Sequence, residues 1–244
     1  MPITYSVVTP ARNEAQNLPQ LVEALDAALR PLGAPYEIII VNDNSTDDSK
    51  AVLEGLRSRS TALRPIHRAS NPGVGNAIRE GLNNAQGQTI ITLDADLSHD
   101  PGEIPSLLEG LKDHDMVCGS RYMSGGKAHM GISRVIISGA SNMLFRTVLG
   151  LPVKDFTSGF RVYKRTVIDT IALKGSQFGV YIEVPIKAHL AGFKLTERPI
   201  TYHKRKFGTT HLNYIKQVPE YLNVALEGLK IKLKDLRIGR DPSK

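Results

Sequence analysis

The sequence holds a single cysteine, Cys118, in 244 residues. That excludes an internal disulfide and a cysteine zinc cage, and it suits a reducing compartment. No apolar run reaches about 18 residues, so no segment reads as a transmembrane helix. Arg12 and Glu14 fall where a secretory signal needs an apolar stretch, so none is expected. There is no Walker A motif. The Gly-rich run Asn71-Pro72-Gly73-Val74-Gly75-Asn76-Ala77 lacks the third Gly of a dinucleotide fingerprint, since Ile78 stands there, and it follows the third strand-like run rather than the first. Both absences argue against a P-loop NTPase and a dehydrogenase.

What is present fits a globular chain. Hydrophobic residues make up 41% and charged residues 23%, which excludes wholesale disorder. The length suits one compact domain, or one with an appendage. Charge is unevenly spread. Residues 1–193 carry 19 basic and 19 acidic side chains, whereas residues 194–244 carry 12 and 5, so the whole net charge of +7 lies in the last fifth. A basic tail suits a phospholipid surface, a lipid phosphate or nucleic acid, or is simply a solvated helix.

The first half alternates short strand-like runs with amphipathic helices. Strands are predicted at Thr4–Thr9, Glu37–Val41, Leu63–His67 (weakened by Pro65), Thr89–Leu93 and Met116–Gly119. Helices are predicted through Leu18, Leu21, Val22, Leu25 and Leu29 with Asn17 as cap, from Ser45 or Thr46 to about Ser58, over Gly73–Ala85 and over Ile104–Leu111. This alternation predicts an α/β fold with a mostly parallel sheet and right-handed crossovers. Polar clusters follow the strands: Thr9 to Glu14, Asn42 to Asp47, Asp94 to Asp96, and Ser120-Arg121. All fall at carboxyl ends, the edge where open α/β sheets bind ligands.

Asp94-Ala95-Asp96 is the sharpest local feature. Near-extended residues two apart face the same side. Two adjacent carboxylates repel unless a cation lies between them, and an all-oxygen site favours Mg²⁺ or Mn²⁺ over zinc. Either Asp could instead cap the helix that begins near Pro101. Asp43 and Glu14 suit hydrogen bonds to ribose hydroxyls or a base edge, or serve as turn residues.

Taken in order and spacing, Thr9-Pro10…Asn13-Glu14, Val41-Asn42-Asp43-Asn44-Ser45-Thr46-Asp47, Gly73-x-Gly75-x-Ala77 and Asp94-Ala95-Asp96-Leu97-Ser98-His99 resemble family 2 glycosyltransferases of the GT-A fold. Gly119-Ser120-Arg121-Tyr122, Ser133-Arg134-x-Ile136-Ile137-Ser138, Asp155-Phe156-Thr157-Ser158-Gly159-Phe160-Arg161 and Arg205-x-x-Gly208 narrow the resemblance to the dolichyl-phosphate mannose synthases. It covers about Tyr5 to His211.

The resemblance implies that Pro10, Arg12, Glu14, Val41 and Asp43 border the nucleoside of GDP-mannose. It places Asp94, Ala95 and Asp96 along the ribose, diphosphate and metal, with Asp94, Asp96 and Ser98 toward Mg²⁺ or Mn²⁺. Arg121, Arg134, Ser138 and Arg205 would gather the donor and acceptor phosphates, with Lys174 and His211 as further diphosphate contacts. This chain departs from the pattern at Arg12, where many members have an aromatic residue. It departs again at Ser98, where several have Gln, and at Thr210-His211, where Ser-Lys is usual.

The expected reaction is an inverting transfer of mannose from GDP-mannose to a polyprenyl (dolichyl-type) phosphate. A phosphomonoester is mostly dianionic at neutral pH and needs no general base. A hydroxyl acceptor would need one, and Asp155 or Glu183 are the candidates. The rival readings are a family 2 enzyme using UDP-glucose or another donor, or a hydroxyl acceptor, and a non-catalytic nucleotide-sugar scaffold.

A lipid acceptor implies contact with a membrane. Ile132, Val135, Ile136, Met143, Leu144 and Leu151 share a segment with Arg134 and Ser138. Ile215, Val218, Leu222, Leu226, Leu229, Leu233 and Leu236 form a helical stripe near Lys216, Lys230, Lys232, Lys234 and Arg237. That pattern fits an interfacial amphipathic helix, or a helix packed on its own core or on a partner chain. The expected organisation is a catalytic domain over residues 1–212, with a nucleotide-sugar and metal half (1–120) and an acceptor half (121–212). A basic amphipathic helix and tail would occupy residues 213–244. The expected location is the cytoplasmic face of a membrane, held peripherally, with a small membrane subunit as a further partner and no nucleic acid.

Overall fold

The computed structural model describes residues 2–208 and 214–237, without the side chains of residues 132–134, 137, 214–216, 218 and 234–237. Arg134's side chain and His211, both expected at the phosphates, lie outside the described residues, as do the side chains of Ile132, Ile215, Lys216, Val218, Lys234, Leu236 and Arg237.

In chain order the first elements are β1 (Tyr5–Ala11), α1 (Leu18–Leu29), β2 (Tyr36–Asp43), α2 (Ser49–Arg57), β3 (Leu63–Arg68), α3 (Val74–Asn84) and β4 (Thr89–Thr92). Next come α4 (Ile104–Gly110), β5 (Met116–Ser120), β6 (Lys127–Ala128), α5 (Ile132–Leu149), β7 (Arg161–Lys164) and α6 (Arg165–Thr170). Last are α7 (Val180–Leu190), β8 (Leu195–Pro199), β9 (Thr201–Tyr202) and α8 (Tyr214–Arg237). Seven strands form one sheet in the order β3-β2-β1-β4-β7-β5-β8. Its pairings are parallel except that β7 runs antiparallel to both β4 and β5.

Strand residues alternate between two cores, as a period of two requires when both faces are covered. Val8, Ile39, Ile90 and Met116 join one core under α3, α5, α7 and α8. Val7, Ile38, Ile91 and Val117 join the other under α1, α2 and α4. The α1 repeat buries Leu18, Leu21, Leu25 and Leu29 completely. Each such leucine contributes about 1.5–3 kcal/mol.

Three expectations are corrected. The second helix starts at Ser49 with Asp48 as N-cap, not from Ser45 or Thr46, because residues 45–47 are bonded to the loop after β1. Asn17 makes no side-chain cap; its amide donates instead to Glu14 Oε2, at 2.6 Å. The described part of the α8 stripe does not act as one face: Leu229 packs on the core with Tyr221, Val224, Ala225 and Ile231, while Leu222, Leu226 and Leu233 are exposed. Pro65 is accommodated because β3 is an edge strand.

Candidate active site

A cleft of about 680 Å³ opens at the carboxyl ends of β1, β2 and β4, where the polar clusters were expected. The loop after β1 borders it, and the loop after β2 zips onto that loop from behind its backbone. Asn13 N–H donates to Ser45 Oγ (2.9 Å) and Asn13 Oδ1 accepts from Thr46 N–H (2.8 Å). Glu14 N–H donates to Ser49 Oγ (3.0 Å) and Ala15 N–H to Asp47 Oδ2 (3.0 Å). Asn13, Asn44 and Asn71 take left-handed backbone, which Asn tolerates. Leu97, beside Asp96, does so at φ 60°, a costly choice for a branched side chain. The turn after β4 is thus held in a strained shape.

Pro10, Arg12, Glu14, Asp43, Asp94, Ala95, Asp96 and Arg205, eight of the expected site residues, all border this cleft. Asp43 is fixed on both oxygens, by Arg68 at 2.8 Å and by the Gly73 N–H at 2.6 Å. Gly73 is needed for close approach: a Cβ there would lie 2.3 Å from the Ser176 carbonyl oxygen.

Arg205 links two buried acids, with Nη2 3.1 Å from Glu14 Oε1 and Nε 3.1 Å from Asp96 Oδ2. Burial pushes the Glu14 carboxyl up, against the opposing pull of Asn17 and Arg205. Burial would also raise Asp96, but Ser98 and Arg205 outweigh it and hold that carboxyl below its ordinary value. The Ser98 N–H donates to Asp96 Oδ1 at 3.0 Å.

Residues without an assigned role in the motifs complete the acidic turn. Tyr181 O–H donates to Asp94 Oδ1 at 2.6 Å, and burial first, then Asp94, raises its pKa well above the usual phenol range. Tyr181 therefore remains a donor. His99 is buried against Phe160 and Tyr202, accepting at Nδ1 from the Asp94 N–H (3.4 Å). Burial depresses its pKa, which favours the neutral ring. Tyr181 and Arg68 carry no local signal, since their partners are 87 and 25 residues away.

A smaller pocket of about 80 Å³ adjoins the cleft and shares Asp94, Tyr181 and Tyr202 with it. Arg121 and Ser138 line it with Thr157. The Arg121 guanidinium donates through Nε (2.7 Å) and Nη2 (2.8 Å) to the fully buried Asp155 carboxylate, and through Nη2 to Thr157 Oγ1 (2.8 Å). Ser138 Oγ lies 3.2 Å from Thr157 Oγ1. Burial alone would raise Asp155, but Arg121 holds it well ionised.

Several expectations about individual residues need correction. Asp155 is sealed under Arg121 and does not border the cleft, so it is not placed to act as a base. Glu183 is likewise buried, accepting from the Lys174 and Gly175 N–H groups and pairing with Lys187. Lys174 borders neither cavity; its ammonium pairs with Glu227 on α8 at 2.9 Å. Val41 is wholly in the core. Ser98 is fully buried and absent from the cleft wall, where it acts through its backbone on Asp96.

The donor set present suits a hard divalent cation. Asp94 and Asp96 offer oxygen on the same cleft, and Asp96 is held ionised. Among the described residues no three His, Cys, Asp or Glu side chains form a closed metal cage. A Mg²⁺ or Mn²⁺ site of one or two carboxylates completed by substrate phosphate is the type such residues fit.

Outside the cavities, Ile136, Met143 and Leu144 on α5 and Leu222, Leu226 and Leu233 on α8 are between 50% and 73% exposed. The two helices touch each other. On α5 the inward face carries buried Ser138 and Asn142. Among the described residues no helix is long and apolar enough to cross a membrane.

Residues 6–172 match the family described as "Glycosyl transferase family 2". A "Dolichol-phosphate mannosyltransferase" of Pyrococcus furiosus is 34% identical over 223 residues, covering 89% of this chain and 61% of that protein. The chain thus spans less than two thirds of that relative's length. An "Undecaprenyl-phosphate mannosyltransferase" of Micrococcus luteus is 29% identical over 238 residues, covering 94% and 96%. Glucosyl-3-phosphoglycerate synthase of Mycobacterium tuberculosis, solved with Mn²⁺, UDP and phosphoglyceric acid, superposes with a TM-score of 0.69 at 20% identity, covering 93% and 78%. That likeness identifies the fold as GT-A.

Proposed function

The chain belongs to glycosyl transferase family 2, and on that footing we propose that it transfers mannose from GDP-mannose to a polyprenyl phosphate, with inversion. One observation carries this reading. The Arg121–Ser138 pocket opens beside the acidic cleft and shares Asp94 with it, while Asp155 and Glu183, the carboxylates expected as bases for a hydroxyl, border neither cavity. A site with two anion-binding ends, whose two expected general bases are buried in other pairings, suits an acceptor that is already a nucleophile. A phosphomonoester meets that description. The two relatives are named for mannosyl transfer to dolichol and undecaprenyl phosphates, which supports the same acceptor class here.

In this reading the donor nucleoside lies along Pro10, Arg12, Glu14 and Asp43. Asp94 and Asp96 would hold Mg²⁺ or Mn²⁺, which supplies charge neutralisation at the diphosphate leaving group. Arg205 turns from Glu14 and Asp96 to the diphosphate as the donor enters. Arg121, its fork fixed by Asp155, and Ser138 orient the acceptor phosphate for in-line attack on the sugar C1, with Arg134 as a further cation. One charge pair at 4 Å, at an effective dielectric near 20, is worth about 4 kcal/mol, or about three decades in rate if felt only in the transition state.

The exposed apolar residues of α5 and α8 support peripheral seating on lipid, and the excess of basic residues after position 193 would add attraction to anionic headgroups. Cys118, fully buried with its thiol pushed up to about 12 by burial, is inert and takes no part in this reaction.

The deciding experiment supplies GDP-mannose labelled in the sugar, Mn²⁺ and a short polyprenyl phosphate, then extracts lipid. Labelled lipid, sensitive to mild acid, is expected. Preference for UDP-glucose in a parallel donor panel would move the reading to the other donor. Transfer to no phosphate acceptor would overturn it.

A further inference from the structure

We infer that Glu220 on α8 is a positioning residue for the nucleotide end of the cleft, coupling the seating of the C-terminal helix to donor binding. The inference rests on the function proposed above.

The Glu220 carboxylate accepts three backbone N–H groups of one loop: Ser176 and Gln177 on Oε1, both at 3.0 Å, and Gly179 on Oε2 at 2.9 Å. Gly179 is the N-cap of α7, which makes no side-chain cap of its own. A carboxylate from another helix thus satisfies N–H groups at the positive end of α7, where an anion is favoured. The fit is close: a Cβ at Gly179 would lie 2.6 Å from Glu220 Cγ.

The loop so held is a wall of the cleft. Gln177 and Phe178 border it, and so does Gln217, one turn before Glu220 on α8. The loop also fixes the adjoining part of the lining, at Gly73 and Val74. The Ser176 carbonyl accepts from the Gly75 N–H (3.1 Å) and the Asn76 N–H (3.2 Å), and Gln177 Nε2 donates to the Pro72 carbonyl at 3.3 Å. The Gly73 N–H in turn holds Asp43. Tyr181, in the first turn of α7, reaches Asp94. Glu220 therefore orders a path that ends at two cleft carboxylates without bordering the cleft itself.

The test compares wild type with Glu220→Ala and Glu220→Gln. Binding of GDP and of UDP, each with Mn²⁺, is measured by calorimetry. KM and kcat are measured with GDP-mannose, and amide hydrogen exchange is followed at Ser176, Gln177 and Gly179. Glu220→Ala is expected to weaken nucleotide binding and raise KM about tenfold, with kcat within about twofold. Exchange should quicken at those three amides. Glu220→Gln keeps one accepting oxygen and should fall between, and it carries the test should the Ala variant not fold. Unchanged nucleotide affinity in the variants, with a wild type that binds, would overturn this inference alone. So would a loss in kcat matched by faster exchange throughout the chain, the mark of a merely structural role. A wild type that binds neither nucleotide would overturn it together with the proposed function.

Discussion

The Arg205 guanidinium lies 3.1 Å from both Glu14 and Asp96, joining the loop after β1 to the turn after β4. One cation thus neutralises two buried acids whose environments push their pKa values apart. It comes from the loop that follows β9, which is anchored by the His203 N–H on the Ser98 carbonyl at 2.8 Å.

Arg205→Ala should leave Glu14 and Asp96 without the cation they share. Transfer from GDP-mannose is expected to fall about 10²–10³-fold, the scale of one lost transition-state charge contact. Arg205→Lys keeps the charge but loses the fork, so it should recover only part of the rate. Steady-state kinetics checks both, and an Arg205→Ala enzyme with full kcat/KM would remove Arg205 from the reaction.

Asp155→Asn strips the partner from a buried guanidinium and should destabilise the protein by about 3–5 kcal/mol. The sign with pH follows from the depressed folded pKa of Asp155. Its stabilisation is full above the unfolded value of about 3.9 and is lost as pH falls through the lower folded value. Denaturant melts of both proteins should therefore differ most near neutrality and converge in acid. A constant gap from pH 7 to pH 2 would contradict the pairing.

Tyr181→Phe removes a single hydrogen bond to Asp94 while keeping the ring. A change in stability of about 1 kcal/mol is expected. The Mn²⁺ concentration for half-maximal transfer should shift by severalfold. Titrating activity against Mn²⁺ decides the matter: an unmoved midpoint would separate Asp94 from the metal.

Met143→Glu combined with Leu226→Glu places charge on the exposed faces of α5 and α8. Thermal stability should change little, since neither side chain is packed inside. Sedimentation with anionic vesicles should be lost, while transfer to a short, water-soluble acceptor persists. Retained vesicle binding would assign the membrane contact to another surface.

The sequence by itself determined the parallel half of the fold and the sheet edge at which the cleft opens. Hydrophobic period and turn residues are local signals, so the first five strands, the α1 core face and the clusters at Glu14, Asp43, Asp94 and Asp96 could be read along the chain. Only the tertiary structure decided which charges are free to work. Arg121 and Asp155 are 34 residues apart, Lys174 and Glu227 are 53 apart, and Arg205 and Asp96 are 109 apart. An ion pair has no sequence period, because side chains meet through the packing of whole elements. The same reason hides β7, whose antiparallel entry between β4 and β5 depends on its neighbours rather than on its own four residues. Burial then sorted the carboxylates. It closed Asp155 and Glu183 off from the cleft and left Asp94 and Asp96 bordering it.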